Sequence, residues 1–531
     1  MPEARREPEG LFGGIFARAG GVGDEQWLQA MLDVEAGLAR ALERAGLAPE
    51  GSGAAVTEAA RADGFDATEL GRLAVQTGNP VPALVRALTR KLPPSLGTAV
   101  HRGATSQDIL DSAAMLLAKR STGTILADLK AAAEAAARHA ASHRDTIMIG
   151  RTLLQQAVPV TFGLVAAGWL TSLDEAREGL ARVREQRLAV QFGGAAGTLA
   201  SLDDVQRGVW GGRPPGPCPP RGVLGGAERR PPRPALRVAG LLAGELGLAL
   251  PVMPWHTDRL RIVELAGALA GAAAALGKIA RDVTLLAQSE IGEVREGSAG
   301  SAGPGSAGPG SAGPGSAGPG RGGSSTMPHK RNPVAAIAIL GCTKRVPGLV
   351  ATLAAAAEQE LQRAAGGWHA EWEPLGDLLR LTGSAASWGG ELLAGLDIDA
   401  GRMRANLDAA AGLPLAESVA ALLAWGGTVP PGDTPDSDGP RPPAADIASG
   451  LGRLDALDLV AEASARAVSD GMSLRDALLT SADVTRRLDA AGITPAQVEA
   501  ALDPAGYLGA AGEFIDGALA AHRDLEARLA R

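Results

Sequence analysis

Four long stretches rich in alanine and leucine, with polar residues at helical spacing and few helix breakers, most constrain the fold of this chain. Each is long enough for a helix of about 30 residues or more, roughly 45 Å. Helices of that length do not bury their apolar faces within a compact monomer, so the pattern predicts a bundle shared between subunits. The stretches are, approximately, 108–143, 157–191, 258–296 and 333–365.

Strand signals hardly recur along the chain, because alternating β-branched or aromatic runs bounded by turns are rare. We therefore predict an all-α protein. Proline is tolerated in the first turn of a helix, so Pro159 is compatible with the start of the second stretch. Pro347 lies further inside the fourth stretch and predicts a kink there.

Three segments interrupt the helical pattern and lack periodic apolar positions. Residues 207–236 are rich in proline and arginine, residues 301–320 are four exact copies of Ser-Ala-Gly-Pro-Gly, and residues 425–445 are rich in turn formers. We expect surface loops inserted between helices, because the entropy of loop closure grows only logarithmically with length.

The charge balance and cysteine content narrow the class of protein. The 51 basic and 59 acidic residues give a net charge of −8, which argues against a nucleic-acid or anionic membrane partner. Charged residues within the apolar run 260–290 argue against a membrane span, and the charged N-terminus argues against an export signal. Cys218 and Cys342 are too few for a disulfide framework, so we expect a cytoplasmic protein.

The most specific segment is Gly322–Pro333, with the sequence GGSSTMPHKRNP. Two glycines permit an unusual backbone, Ser324 and Ser325 supply hydroxyls, and Lys330 supplies a positive charge. Such a loop suits the removal or delivery of a proton beside a carboxylate, because it stabilises charge where charge develops. A polar linker before a helix is the alternative interpretation.

This segment resembles the signature of the fumarase/aspartase superfamily, which includes adenylosuccinate lyase, argininosuccinate lyase and carboxymuconate cycloisomerases. His101–Ser112, with the sequence HRGATSQDILDS, is similar to the superfamily's first substrate-binding segment. Thr105, Ser106 and backbone amides near a helix start form a suitable anion cradle. The alternative for Thr105 or Ser106 is a helix cap without a ligand.

A third segment, Gly150–Gly163, resembles a stretch that reads Gly-Arg-Thr-His in lyases of this superfamily. Leu153 stands at the position of that histidine. That histidine helps to protonate or orient the leaving group. An amine needs such a proton, whereas a carboxylate has a conjugate acid with a pKa near 4 and leaves or adds unaided. Leu153 therefore indicates a reaction in which a carboxylate is the attacking or leaving group, unless it marks an inactive relative.

A fourth segment, Pro251–Arg261, contains Trp255, His256 and Arg259, which would suit a flat polyanionic substrate. A core and cap role is the alternative for the Trp-His pair. The segment resembles the superfamily's cycloisomerases more than its purine enzyme. Glu360–Leu375 does so too, and packing is the expected use of its aromatic residues.

The resemblance implies three helical domains, with a long central helix bundle that forms the core of a homotetramer with shared active sites. The domains are 1–107, 108–365 with inserted loops 207–236 and 297–321 and signature loop 322–333, and 366–531 with inserted loop 425–445. It implies a small polycarboxylate substrate, lactonisation of a carboxymuconate, and no metal or organic cofactor. Adenylosuccinate lyase-like cleavage and a catalytically inactive structural relative are the alternatives.

By the same resemblance, Ser324 carries the proton and Lys330 stabilises its alkoxide. Ser325, the Met327 amide and Asn332 hold the carboxylate that gains charge during the reaction. The remaining residues of the expected substrate pocket are His101, Thr105, Ser106, Arg151, Thr152, Gln155, Trp255, His256 and Arg259.

Overall fold

A computed structural model describes residues 10–18, 21–204, 233–297, 322–323, 327, 330–426 and 450–530 of the chain. The inserted segments predicted at 207–236, 301–320 and 425–445 lie almost wholly outside the described residues. The first of them was drawn too long, because a helix begins at Pro234, where proline's fixed φ suits the first helical turn.

The described chain is helical, as the sequence predicts. Its helices are α1 (Gly13–Phe16), α2 (Asp24–Arg44), α3 (Ser52–Ala59), α4 (Ala67–Thr77), α5 (Val81–Arg90), α6 (Pro94–Gly97), α7 (Ser106–Ser142), α8 (Phe162–Gln186), α9 (Ala200–Asp204), α10 (Pro234–Leu246), α11 (Leu260–Leu286), α12 (Val334–Thr343), α13 (Val346–Ala356), α14 (Gly367–Ala370), α15 (Trp372–Ala394), α16 (Ala400–Ala409), α17 (Ala416–Trp425), α18 (Arg453–Asp470), α19 (Leu474–Leu479), α20 (Ala482–Ala490), α21 (Pro495–Ala501) and α22 (Ala511–Leu529). Short 3₁₀ turns occur at Ala62–Gly64, Leu413–Leu415 and Pro504–Tyr507. The strands are β1 (Ile147–Thr152), β2 (Gln155–Thr161), β3 (Val294–Glu296) and β4 (Leu396–Ile398).

The four predicted long helices are confirmed in part. Helix α7 agrees with the prediction within two residues, because its sequence has no proline and a single glycine, Gly123. Helix α8 begins only at Phe162, since Pro159 belongs to β2, where β-branched neighbours favour a strand. Helix α11 is shorter than predicted, and the fourth stretch is two helices that separate just before Pro347.

The chain divides into two compact units. The first comprises described residues within 1–131, 175–280 and 335–391, and the second those within 132–174, 281–334 and 392–531. These boundaries fall inside helices and divide the chain differently from the predicted domains, so the three-domain organisation stays a prediction.

In the first unit, α2 packs between α3 and α10. Asp24 and Glu25 lie in the first turn of α2 and Arg44 in the last, which complements the helix dipole at both ends. Close packing needs a glycine here, because a Cβ at Gly37 would lie 3.1 Å from a methyl group of Leu246 on α10. The result is a leucine- and alanine-rich core in which the middle of α2 is almost completely buried.

The second unit contains two antiparallel strand pairs, β1 with β2 and β3 with β4. Helix α16 packs on β1, with Ile149 and Leu407 in a small core. The C-terminal helices α17 to α21 have a hydrophobic core of their own that includes Leu423, Leu459 and Leu478.

Two described helices are long and apolar enough to cross a membrane by length and composition, Leu260–Leu286 and Val334–Ala356, the latter taken across the break between α12 and α13. About half of the most apolar part of Leu260–Leu286 is buried by other described residues, and about a third of that of Val334–Ala356. Within the described residues, Ile337 on α12 and Ala351, Ala354 and Ala355 on α13 are exposed apolar positions.

Candidate active site

The predicted anion cradle in the first unit is held by Asp108, which is buried in the first turn of α7. One oxygen of Asp108 accepts hydrogen bonds from the backbone N–H groups of Thr105 (3.0 Å) and Gly194 (2.9 Å). The other accepts one from Gly193 N–H (3.0 Å) and lies 2.7 Å from His256 Nε2. Asp108 thus caps α7 and joins three separate segments.

Thr105 and Ser106 lie at the start of α7, as the sequence predicts, and both are half-buried. Asp108 performs the side-chain capping that was the alternative role for these two residues. Neither hydroxyl of Thr105 or Ser106 is hydrogen-bonded within the part of the chain that the structure describes. Both hydroxyls therefore remain available to a ligand.

His101 precedes this cradle and is paired with Glu35, a fully buried residue in the middle of α2. His101 Nδ1 lies 2.7 Å from Glu35 Oε1, and the His101 backbone N–H donates to Glu35 Oε2 at 2.8 Å. The His101 side chain is 21% exposed. The Nδ1 edge of the imidazole is therefore fixed by Glu35, while part of the ring stays accessible to solvent.

Trp255, His256 and Arg259 are buried within this unit. Trp255 Nε1 donates to the Val190 carbonyl at 3.0 Å. The ring of His256 packs so closely on Gly193 that a Cβ there would lie 2.7 Å from His256 Cε1. These are the contacts of the core and cap interpretation, and the binding of substrate by the three residues stays a prediction.

Arg259 has its guanidinium between two buried carboxylates. It contacts Asp111 at 2.8 and 3.0 Å and Glu371 at 2.5 to 3.2 Å. These charges raise the pKa of Arg259 against the opposing effect of burial, while burial raises the pKa of Glu371. Trp368 Nε1 also donates to Asp111 at 3.0 Å. The guanidinium donors of Arg259 are therefore all directed at these two carboxylates and the Trp255 carbonyl, which stabilises the unit.

The second unit contains the hairpin of β1 and β2, whose tip is Leu153–Leu154. Both leucines have positive φ, 51° and 64°, as a two-residue type I′ turn requires. Both are largely exposed, at 96% and 72%. Thr152 and Gln155 pair on either side of this tip and are exposed. The position where related lyases have histidine is thus an apolar side chain at a strained, solvent-facing turn.

Arg151, just before the tip, forms a bidentate ion pair with Glu293, at 2.9 and 2.7 Å. Glu293 is fully buried and also accepts a hydrogen bond from Asn406 Nδ2 at 2.8 Å. We call these three residues the Glu293 clamp. The clamp fixes the hairpin to the segment between α11 and β3.

The first and last residues of the signature loop contact each other. Asn332 N–H donates to the Gly322 carbonyl at 2.8 Å, and Gly323 pairs with Arg331. A Cβ at Gly322, where φ is 82°, would lie 2.5 Å from the Asn332 carbonyl oxygen, so only glycine fits. Lys330 is exposed, Met327 is 42% exposed, and Asn332 is half-buried. Ser324 and Ser325 lie outside the described residues, and their roles stay predictions.

The structure adds polar residues that sequence reasoning missed: Glu35, Asp108, Asp111, Glu293 and Asn406. Glu35 gave a usable signal, because it is a charged residue among apolar positions on a face of α2 that is otherwise buried. The others are recognised only through partners remote in sequence. Among the described residues, no group of three His, Cys, Asp or Glu side chains is arranged to hold a metal ion.

The fold and the motif-bearing loops together define a protein of the lyase class. A family model described as Lyase matches residues 20–208 and 225–348, and one described as Adenylosuccinate lyase C-terminus matches residues 444–518. The chain belongs to this lyase family, the fumarase/aspartase superfamily that its motifs resemble.

Individual relatives cover nearly the whole chain. A nitrosuccinate lyase of Streptomyces davaonensis is 42% identical over 94% of this chain and 91% of its own length. A 3-carboxy-cis,cis-muconate cycloisomerase of Bradyrhizobium diazoefficiens is 40% identical over 93% of each. The crystal structure of the 3-carboxy-cis,cis-muconate lactonizing enzyme from Pseudomonas putida matches with a TM-score of 0.77 and 36% identity, covering 97% of this chain and 99% of that one.

Proposed function

We propose that this chain is a 3-carboxy-cis,cis-muconate cycloisomerase. The observation that carries the proposal is Leu153, an exposed apolar residue. It occupies the position at which the amine-releasing lyases that this segment resembles have a histidine that donates a proton. A carboxylate is already an anion at neutral pH and adds to a double bond without losing a proton. Two well-matched relatives, the cycloisomerase of Bradyrhizobium diazoefficiens and the lactonizing enzyme of Pseudomonas putida, support the same assignment.

In the proposed reaction, a carboxylate of the substrate adds across a double bond and closes a lactone ring. Ser324 delivers a proton to the carbon beside a second carboxylate, and Lys330 stabilises the serine alkoxide that remains. Ser325, the Met327 amide and Asn332 hold the carboxylate on which negative charge develops. No cofactor is part of this proposal, because preorganised donors stabilise such charge.

The substrate's other carboxylates are proposed to bind to His101, Thr105 and Ser106. Free hydroxyls and a fixed imidazole at the start of α7 support this role. Thr152 and Gln155 are exposed beside the hairpin tip and stay in the proposed pocket. Arg151 also stays there as a proposal, although its guanidinium contacts Glu293 in this structure.

Cleavage of nitrosuccinate is the second candidate, because the nitrosuccinate lyase relative is 42% identical over most of the chain. Breaking the C–N bond of nitrosuccinate releases nitrite, which is a weak base like a carboxylate. Leu153 therefore does not separate the two reactions. The difference lies in the substrate, since a muconate has a conjugated diene and one more carboxylate.

The test is a four-substrate panel on one purified sample: 3-carboxy-cis,cis-muconate, nitrosuccinate, adenylosuccinate and argininosuccinate. We expect loss of the diene absorbance with carboxymuconate, and a kcat/KM at least about a hundredfold above that for the other three. Nitrite release as the dominant activity would replace the proposal with the second candidate. Turnover of none of the four would favour an inactive relative.

We further propose a cytoplasmic homotetramer with active sites shared between subunits. Support comes from the apolar residues that helices α12 and α13 leave exposed, which are Ile337 at 51% on α12 and Ala351, Ala354 and Ala355 on α13. Burying such a face against other copies of the same bundle removes it from water. Light scattering at micromolar concentration tests the tetramer, and a stable monomer would contradict it.

A further inference from the structure

Glu35 is a carboxylate that the chain buries completely in the apolar middle of α2. Burying an ionised group costs several kcal/mol unless hydrogen bonds compensate for the lost water. Among the described residues, both hydrogen-bond partners of Glu35 belong to one residue: the backbone N–H and the Nδ1 atom of His101. The carboxylate of Glu35, buried in the core of the first unit, is therefore hydrogen-bonded to His101.

The backbone of His101 is itself unusual. Its φ is +58°, in the left-handed region, which costs a non-glycine residue on the order of 1 kcal/mol or more. The hydrogen bond from the His101 N–H to Glu35 holds the backbone in this conformation. With Nδ1 fixed on Glu35, Nε2 is the ring nitrogen left for a ligand, and the hydroxyl-bearing residues Thr105 and Ser106 follow four and five residues later in the chain.

We propose that Glu35 is a positioning residue that fixes His101 with Nδ1 inward and Nε2 outward, so that the imidazolium binds a carboxylate of the substrate. The inference rests on the proposed function in that the substrate is taken to be a polycarboxylate. It deepens that function by separating two roles: His101 contacts the substrate, and Glu35 acts through His101.

The charges around His101 favour the imidazolium. Burial lowers the pKa of His101, but the hydrogen bond and the negative charge of Glu35 on α2, together with the charge of Asp108 on α7, outweigh it and raise the pKa above 6.5. A raised pKa keeps the positive charge at higher pH. Affinity for a carboxylate should therefore persist to that pKa and then fall about tenfold per pH unit.

The experiment compares wild type with Glu35→Gln, using tricarballylate, an unreactive tricarboxylate, as the probe. NMR of histidine-labelled protein gives the pKa of His101, and calorimetry gives the affinity between pH 6 and 9. In Glu35→Gln we expect the pKa to return toward 6.5 and tricarballylate binding at pH 7.5 to weaken by up to about tenfold. On the enzyme's substrate the loss should appear in KM and much less in kcat.

The matched control is Asp174→Asn, which removes a carboxylate from another histidine, His522, whose Nδ1 lies 2.8 Å from Asp174. That variant should leave the His101 pKa and tricarballylate binding unchanged. A second variant, His101→Asn, tolerates the left-handed backbone and removes the imidazolium. It should bind tricarballylate weakly and without the pH dependence, even if Glu35→Gln folds poorly.

Unchanged binding in His101→Asn would overturn the proposal. The proposal would also fail if Glu35→Gln left the pKa of His101 unchanged. It would fail as well if that pKa shifted while the affinity for tricarballylate changed by less than about twofold. Neither readout needs turnover, so these outcomes stay distinct from failure of the proposed cycloisomerase activity. Tight pH-dependent binding of tricarballylate without turnover of carboxymuconate would uphold the inference and reject the function.

Discussion

The Glu293 clamp makes a quantitative prediction for the hairpin. Glu293→Gln removes a fully buried charge and leaves Arg151, which is 19% exposed, without its counter-ion. Breaking a buried pair from one side costs about 3 to 5 kcal/mol, and the partial exposure of Arg151 places the expected loss near the lower limit, about 3 kcal/mol. Because the clamp fixes β1 to the segment before β3, this loss should concentrate in the hairpin.

Hydrogen exchange with mass spectrometry measures the effect locally, on peptides from 147–161. A loss of about 3 kcal/mol corresponds to roughly a hundredfold faster exchange of the protected β1 and β2 amides, at tenfold per 1.4 kcal/mol. The control is Asp408→Asn, which breaks the exposed Arg404–Asp408 pair, where both side chains are more than half exposed. An exposed pair contributes about 0.5 kcal/mol or less, so exchange there should change by about twofold.

The double variant Arg151→Gln with Glu293→Gln tests the pairing itself. It removes both charges, so hairpin protection should recover in part relative to Glu293→Gln. Exchange accelerated less than about threefold by Glu293→Gln would refute the reasoning, as would two single effects that simply add. If activity recovers together with protection, Arg151 acts through the position of the hairpin; if activity stays lost, Arg151 contacts the substrate.

The other predictions concern the loop, the turn and the repeat. Ser324→Ala should lower kcat a hundredfold or more with the assembly intact by light scattering, and Lys330→Ala should be similarly severe, because proton transfer is lost. Leu153→His should not raise the steady-state cycloisomerase rate, because the reacting carboxylate needs no proton. Replacing Leu153–Leu154 by Asn-Gly should stabilise the hairpin by about 1 kcal/mol in hydrogen exchange, because both residues then suit positive φ. Deleting 301–320 should leave kcat within about threefold, because loop length changes closure entropy only slowly.

Each of these has an opposite outcome that is easy to recognise. More than about a tenth of wild-type rate in Ser324→Ala would remove that serine from proton transfer. A tenfold faster Leu153→His enzyme would contradict the argument from leaving-group basicity. Faster exchange after the Asn-Gly replacement would mean that the leucines support the turn, and an inactive deletion variant would mean that the repeat positions the catalytic loop.

Helix α7 and the hairpin show what the sequence could and could not predict about the fold. Helix α7 follows from local preference alone, since its 37 residues contain no proline and many alanines and leucines. The hairpin was missed because the alanine-rich pattern that starts α8 was extended backward over Pro159. The β-branched residues around Pro159 were the local signal for a strand, and they agree with the observed β2.

The candidate site divides in the same way. Thr105 and Ser106 are predicted from a local pattern, a hydroxyl pair before a long helix. Glu35 is 66 residues from His101 and Glu293 is 142 residues from Arg151, so no window of sequence contains either pair. Arg259 is predicted from its aromatic neighbours in the sequence, and only the fold reveals the two carboxylates around it.

The closed base of the signature loop has a consequence for how this chain tolerates variation. The Gly322–Asn332 hydrogen bond and the Gly323–Arg331 bridge tie the two ends of the loop to each other. We expect such a tie to separate the loop from the length of chain that leads to it. On that expectation, a gene that gains or loses pentapeptide copies immediately upstream should encode an enzyme with nearly the same kcat.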